Sequence, residues 1–238
     1  EGRQRYQKRF EPKYYNESIK NLYKMASEVD DVVGKIIQEL KDQGVYDSTM
    51  LLFTTDNGNL HGEHGLAEKW YPFEESIRVP LVIQDPRMPD SKKGTVSDQF
   101  TLNIDLAPTL LRAAKIPVSS FMQGRDIASL YLERGDPKPW REDFFYEHTI
   151  GADPITGKGF LDKNKVNIPA SFALVTKEWK YIYWPQYKHE QLFHRSLDPY
   201  DERDLLNLSS VQTTDQIYHD MKSRYQFLKE QAQNGSKA

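Results

Sequence analysis

The feature that most constrains the fold is an apolar repeat near the start of the chain. Between Tyr14 and Leu40, apolar side chains recur at positions 19, 22, 23, 26, 29, 33, 36, 37 and 40. This spacing is the period of an amphipathic α-helix, and Gly44 is placed to end it. We therefore predict a long amphipathic helix in this segment.

Two short apolar runs follow that helix. "STMLLFTT" and "RVPLVIQDP" are typical of buried strands, and Pro86 closes the second. "NIDLAPTLLRAAKIP" predicts another helix, with Asp105 at its N-cap. The alternation of helices with short apolar strands favours an α/β layer with a mainly parallel sheet.

The pattern changes at "YLERGDPKPWRED", where a glycine and two prolines stand among charged residues. Such a stretch indicates a boundary, so we predict domains at 1–135 and 136–238. "DFFYEH", "SFALVTKEWKYIYWP" and "EQLFH" then predict short strands, with "TKEWK" as a hairpin turn, and residues 214–232 predict a final helix. The second domain is therefore expected to be a small antiparallel α+β subdomain.

Composition excludes several functional classes. Hydrophobic residues make up 38% and charged residues 28% of the 238, which fits a globular protein rather than a disordered one. The net charge of −3 gives no basis for nucleic-acid binding. No apolar run approaches the roughly 18 residues of a membrane span. With no cysteine, the chain has neither disulfides nor thiolate metal sites.

Chemically useful side chains begin where the first strand ends. Asp56 and Asn57 follow "LLFTT", and ligands of open α/β sheets bind at the carboxyl ends of strands. A carboxylate and an amide oxygen suit Ca²⁺, or Mg²⁺ as the alternative. Two ligands cannot complete such a site, so others must come from elsewhere. The competing interpretation is an ordinary Asp-Asn-Gly turn.

Further ionisable groups lie between the two strands. Lys69 could neutralise an anionic substrate or protonate a leaving group, but most lysines are simply solvated. The spacing of His61 and His64 would suit a helical metal site, although nearby glycines argue against a regular helix. We expect structural or supporting roles for three further residues in this stretch: Glu74, Glu75 and Arg78.

The order of these segments resembles the sulfatase family of the alkaline-phosphatase-like superfamily. The matching strings are "TTDNG", "GEHGL" followed by a lysine, "FEESIRVPL", "DLAPTLL", "QGRDI" and "WKYIYWP…EQLFHRSLDPYDERDLLNL". They cover nearly the whole chain. The resemblance implies the C-terminal portion of a sulfatase sheet-and-helix domain, followed by the small antiparallel subdomain.

The resemblance also implies residue roles. Asp56 and Asn57 match the late pair of metal ligands, usually for Ca²⁺, and Lys69 matches the catalytic lysine that contacts the sulfate and its bridging oxygen. His64 lies near that site and is a candidate for substrate binding. The family's formylglycine nucleophile arises from a Cys- or Ser-x-Pro-x-Arg motif that this sequence lacks. We therefore expect an N-terminal half to precede this chain, and the chain alone to be inactive.

The expected substrate is a sulfated small molecule or glycan. His148 and the lysines at 158, 163 and 165 are further candidates for substrate contact, or belong to a solvated loop. The resemblance implies a periplasmic or secreted enzyme. Two alternatives remain: a phosphonate or phosphate ester hydrolase of the same superfamily, and a non-catalytic fragment that binds anionic glycans.

Overall fold

The structure, a computed structural model, describes residues 6–7, 10–132, 139–149, 169–208 and 213–233. The predicted long helix is present as α1, Pro12–Asp42. Gly44 ends it with φ of 69°, and the Val45 amide donates to the Leu40 carbonyl at 3.0 Å. This closure is the Schellman motif that glycine permits, because its φ is positive without a Cβ penalty.

Both predicted strands of the first domain are present, as β1 (Leu51–Thr54) and β4 (Leu81–Gln84). The expectation of a mainly parallel sheet is wrong for the described residues, because β1 and β4 pair antiparallel, with Leu51 opposite Gln84. A parallel pair needs a crossover connection, usually a helix. Here the connecting segment folds back beside the end of β1 instead, and it carries the candidate site.

The connection between β1 and β4 holds three short elements. These are β2 (Leu60–His61), β3 (Ala67–Glu68) and helix α2 (Glu74–Ile77). β2 and β3 form a small antiparallel hairpin. After β4 comes helix α3, Leu106–Ala113, with Asp105 at the predicted N-cap position.

The predicted antiparallel sheet is present in the C-terminal part of the chain. Its strands run in the order β5 (Asp143–His148), β6 (Ser171–Thr176), β7 (Trp179–Trp184) and β8 (His189–His194), and the final helix is α4 (Thr213–Gln233). The turn between β6 and β7 falls within "TKEWK" as predicted. The predicted boundary near residue 135 and the lysines at 158, 163 and 165 lie outside the described residues.

The two faces of the four-stranded sheet pack against different partners. One face carries Phe172, Leu174 and Tyr181 and packs on α4 through Met221 and Tyr225. The opposite face carries Ala173, Val175, Ile182, Trp184 and Phe193 and packs on the segment between β1 and β4 through Leu60, Tyr71 and Phe73. Because successive strand residues alternate between faces, the sheet joins the terminal helix to the candidate site.

Candidate functional site

The predicted metal ligands occupy a tight bend directly after β1. The Asn57 amide donates to Asp56 Oδ1 at 2.9 Å, and Thr55 Oγ1 donates to the Asn57 carbonyl at 3.1 Å. These local bonds fix the backbone of the bend, as Asx and Thr turns commonly do. The Asp56 side chain remains 81% exposed. The bend therefore presents a carboxylate outward at the end of a strand.

Lys69 lies against both predicted ligands. Its Nζ donates to Asn57 Oδ1 at 2.8 Å and lies 3.7 Å from Asp56 Oδ2. The β2–β3 hairpin brings the lysine back to the bend, although twelve positions separate it from Asn57. The three residues that the sequence proposed for one site are therefore neighbours in the structure.

The side-chain oxygens of Asp56 and Asn57 are the donors available to a divalent cation at this bend. Asp56 Oδ2 and Asn57 Oδ1 converge on a single cationic group, the Lys69 ammonium, so their oxygens face a common region. Hard oxygen donors in this arrangement suit Ca²⁺ or Mg²⁺. Within the described residues no group of three or more His, Cys, Asp or Glu side chains could hold a metal. Asp56 and Asn57 can therefore supply only part of the ligand set that such a cation needs.

Gly58 ties the bend to helix α2. Its amide donates to the Ser76 carbonyl at 2.8 Å. A Cβ added at Gly58 would lie 2.0 Å from the Glu75 carbonyl oxygen, a distance that real Cβ atoms essentially never show. The close approach of the two backbones therefore requires glycine at this position. Helix α2 packs against the bend that carries the two predicted ligands.

His64 is held on the inner side of the same segment. Its ring stacks on Phe73 with centroids 3.9 Å apart, and its Nε2 lies 3.4 Å from Glu75 Oε2. The residue adopts φ of 54° in a 3₁₀ turn, in the left-handed region that His enters more often than most residues other than glycine. His61 instead lies in β2, and its ring meets Phe10 edge-on. The two histidines therefore do not form the helical pair that their spacing allowed.

His148 stands apart from these residues, at the end of β5. It pairs with Ser171 across β5 and β6, and it lies on the sheet face that packs toward Tyr71 and Phe73. The residue is 7% exposed, and its Nε2 has no hydrogen-bond partner among the described residues. Burial lowers the pKa of His148. It is therefore a neutral hydrogen-bonding group at physiological pH rather than a cation.

Sequence reasoning missed the polar support behind the bend. The Asp105 carboxylate does not cap α3. It is fully buried, accepts from the Arg125 amide at 2.7 Å, and binds Arg141 in a two-pronged ion pair. The neighbouring Asn103 donates its side-chain amide to the Asp56 carbonyl at 3.4 Å. No local pattern marks these contacts, because they join segments far apart in the sequence.

Two protein-family models match the chain. The model described as "N-sulphoglucosamine sulphohydrolase, C-terminal" matches residues 62–231, which is more than half of the chain. The model described as "Sulfatase" matches residues 2–116. The chain belongs to the sulfatase family. The resemblance noted in the sequence is thereby confirmed, with the chain corresponding to the C-terminal part of such an enzyme.

A curated relative supports the same assignment. An arylsulfatase from Clostridium perfringens is 30% identical over 186 residues, covering 78% of this chain and 35% of that protein. This sulfatase chain therefore spans about a third of the length of the curated relative.

Solved structures show the shared fold. A protein determined in complex with its substrate D-glucosamine-2-N,6-O-disulfate aligns with a TM-score of 0.72 at 22% identity, covering 87% of this chain and 39% of that one. The phosphonate monoester hydrolase of Agrobacterium radiobacter aligns with a TM-score of 0.69 at 26% identity, covering 86% and 40%. The predicted α/β fold with its C-terminal subdomain is the fold of these proteins.

Proposed function

We propose that this chain supplies part of the active site of a sulfatase that hydrolyses sulfate esters. The observation that supports the proposal is the contact of Lys69 Nζ with Asn57 Oδ1 and Asp56 Oδ2, at 2.8 and 3.7 Å. One cation and two hard oxygen ligands are thus gathered at the end of β1. A sulfate group carries negative charge, and this grouping offers it a lysine beside a place for a metal.

Lys69 has two tasks in this proposal. Its ammonium binds the sulfate, and it offsets negative charge that develops on the bridging oxygen as the ester bond breaks. Its side chain is 37% exposed, so part of it is accessible from solvent. The bond to Asn57 fixes the direction of the flexible side chain before substrate arrives. Such a preorganised contact is worth roughly 10²–10³ in rate, by analogy with oxyanion donors.

Asp56 and Asn57 hold the divalent cation in this proposal, Ca²⁺ or Mg²⁺. When bound, the cation supplies Lewis-acid polarisation of the sulfate oxygens. The formylglycine nucleophile and the remaining metal ligands belong to the N-terminal half of the enzyme. The contribution of the present residues is to keep two oxygens and one ammonium at fixed spacing.

We assign sulfated carbohydrate as the substrate class, and His148 and His64 as candidate contacts. His148, Ser171, Trp184 and His189 form the last row of side chains across the sheet, on the face toward the site segment. An open cavity of about 400 Å³ adjoins this row. It is lined by Pro169, Trp184, Tyr187, His189 and Gln191. A neutral imidazole with an unpartnered nitrogen suits a sugar hydroxyl better than a sulfate.

The N-terminal half of the enzyme is the proposed partner, and two apolar surfaces support its docking. None of the α1 residues is buried, and Leu22, Val29 and Ile36 along one stripe are 37%, 48% and 52% exposed. Phe53 and Val82 face each other across β1 and β4 and are also exposed. Exposed apolar side chains grouped on one element are typical of interaction sites.

Turnover of an aryl sulfate tests the proposal. The chain joined to the segment encoded upstream of it should hydrolyse the ester, whereas residues 1–238 alone should not. Lys69→Ala should lower kcat roughly 10²–10³-fold. Lys93→Ala is the matched control, since Lys93 pairs with Asp90 on the surface and should be neutral. Near-normal kcat for Lys69→Ala would refute the role of this lysine.

A phosphonate ester hydrolase is the second candidate, favoured by the likeness to the phosphonate monoester hydrolase. The metal pair and the lysine would serve both reactions. Assays of the same joined protein on an aryl sulfate and an aryl phosphonate decide between them through the ratio of kcat/KM values. A ratio in favour of the phosphonate would replace the sulfatase assignment.

A periplasmic or secreted location is part of the proposal. Relatives include a protein named an extracellular sulfatase from Drosophila melanogaster. Among the described residues, no helix has the length and apolar character to cross a bilayer. Fractionation of cells that express the intact gene checks the location directly.

A further inference from the structure

A buried ion cluster connects the four-stranded sheet to helix α2. It consists of Glu74, Lys180, Arg195 and Asp201, and we call it the α2 cluster. Lys180 Nζ lies 2.7 Å from Glu74 Oε1 and 2.5 Å from Asp201 Oδ2. Arg195 Nη2 lies 3.3 Å from the same Glu74 oxygen. Two positive and two negative side chains thus balance one another.

The α2 cluster is unusually well buried for ionic groups. Lys180 is fully buried, and the Asp201 carboxylate has no exposed area either. Burial raises the pKa of Asp201. Burial acts in the same direction on Glu74, but Lys180 and Arg195 outweigh it and lower the pKa of that carboxyl. Replacing a buried ion cluster by apolar residues of similar volume is often neutral or stabilising, so the burial of these charges is weak evidence for a role in stability.

The α2 cluster contacts the first turn of α2. The Asp201 carboxylate also accepts from the Glu74 backbone amide at 3.2 Å. Asp201 adopts φ of 53° here, in the left-handed region that Asp enters more often than most residues other than glycine. Both the backbone and the side chain of Glu74 are therefore held by residues of the C-terminal subdomain.

The same short helix supports the predicted metal ligands. The Ser76 carbonyl accepts a hydrogen bond from the Gly58 amide, and the Glu75 carbonyl oxygen packs closely against Gly58. Gly58 directly follows Asn57, so a displacement of α2 displaces the bend. The contacts run without interruption from Lys180 through α2 to Gly58.

We propose that Lys180, with Asp201 and Arg195, is a positioning residue that sets the geometry of Asp56 and Asn57 through α2. The inference rests on the proposed metal site. It assigns the C-terminal subdomain a part in metal binding, although none of its described residues is a proposed metal ligand. Removing a group that orients a metal ligand through contacts to that ligand typically lowers the metal affinity 10–100-fold.

Amide hydrogen exchange of residues 1–238 tests the positioning without any catalysis. Lys180→Met keeps the volume and removes the charge, and it should speed exchange of the Gly58 amide at least tenfold. The amides of β6 should quicken much less than the Gly58 amide, although Val175 lies opposite Lys180 and loss of one charge partner destabilises the sheet. Lys180→Arg should restore most of the protection. Uniformly faster exchange across β6 and Gly58 would mean that Lys180 only stabilises the fold, and it would overturn the inference.

Glu74→Gln serves as a milder second variant, since it keeps the shape and removes one charge. It should produce the same local pattern if Lys180→Met does not fold. Lys222→Met is the matched control, because Lys222 pairs with Glu190 at 2.8 Å in the same subdomain and does not belong to the α2 cluster. Unchanged Gly58 exchange in both Lys180→Met and Glu74→Gln would also overturn the inference.

Calcium activation of the joined enzyme supplies the functional readout. Lys180→Met should raise the Ca²⁺ concentration for half-maximal activity about 10–100-fold, while kcat at saturating Ca²⁺ stays within a few-fold of wild type. An unchanged Ca²⁺ midpoint with a lower kcat would contradict positioning. If the wild-type enzyme shows no sulfatase activity, the proposed function fails, and the exchange data still decide whether the α2 cluster holds the bend.

Discussion

Strands β1 and β4, which we call the site strands, and the C-terminal sheet of β5 to β8 are both antiparallel. Their residues, however, are buried to very different extents. In β6 five consecutive residues are buried, and both faces of the sheet have packed partners. In β1 and β4 no residue is buried, and Phe53 and Val82 are 39% and 61% exposed. The C-terminal sheet is stabilised by its own core, whereas the site strands leave apolar area uncovered.

This contrast divides the described residues into two regions. The C-terminal sheet with α4 is the supporting region, and β1 and β4 with the segment between them are the working region. Two strands alone are marginally stable in water, so β1 and β4 depend on contacts outside their own pairing. Some of those contacts come from the C-terminal sheet, through Tyr71, Phe73 and the α2 cluster. The predicted ligands thus lie in the weaker region and are held by the stronger one.

Truncation of matched aromatic residues gives the largest expected contrast. Phe172→Ala should lower the free energy of unfolding by about 3–5 kcal/mol, because the ring is buried between Phe145 and α4 and leaves a cavity. Phe53→Ala should cost less than about 1 kcal/mol, because its ring is 39% exposed. Urea unfolding of residues 1–238 measures both. Equal losses for the two variants would remove the distinction between the regions.

Gly58→Ala gives the next largest effect, and it is confined to the working region. The new methyl group would overlap the Glu75 carbonyl oxygen, at 2.0 Å, so the bend or α2 must move. We expect a loss of about 1–3 kcal/mol, typical of overpacking. Hydrogen exchange should quicken around residues 56–78 and stay unchanged in β6.

Gly34→Ala is the control for that substitution. Gly34 lies within α1 with no atom within 4 Å of an added Cβ. Alanine should therefore stabilise the helix there by about 0.5–1 kcal/mol. A Gly58→Ala variant that behaves like Gly34→Ala would show that the close approach to Glu75 does not constrain the bend.

The sequence predicted local elements better than the contacts between them. Periodicity located α1, and Gly44 ended it, because an amphipathic face and a cap are properties of neighbouring residues. The predicted parallel arrangement is wrong for β1 and β4, because strand direction depends on the path of the segment that connects the two strands. The buried contacts of Lys180 have no local signature in the sequence, because its partners Glu74 and Asp201 belong to other segments of the chain.

The candidate site shows the same division. Asp56, Asn57 and Lys69 were predicted from their place after the first strand and from a family resemblance, and the structure brings them together through the β2–β3 hairpin. The family resemblance does not reveal that His64 stacks on Phe73, or that the Gly58 amide is hydrogen-bonded to the Ser76 carbonyl. Those contacts depend on α2, which is only four residues long and has no periodicity of its own.

Between pH 5 and pH 3, acid should weaken β1 and β4 more than strand β6, through Asp85 at the end of β4. Burial alone would raise the pKa of Asp85, but hydrogen bonds from Arg87 and Tyr131 outweigh burial and hold it at about 2. Since this pKa lies below its ordinary value of 3.8, the ionised carboxylate stabilises the fold above about pH 4. That contribution is lost as the pH falls from about 4 to 2.

The expected size is about 1 kcal/mol, reduced because the Arg87 side chain is 33% exposed and its ion pair is screened. Urea unfolding and hydrogen exchange at pH 5 and pH 3 should show more loosening of residues 81–84 than of β6. Asp85→Asn should be less stable at pH 5 and should lose less stability between pH 5 and pH 3 than wild type. If the variant keeps the full wild-type acid dependence, another carboxylate governs it, and the site strands are not the acid-sensitive region of this chain.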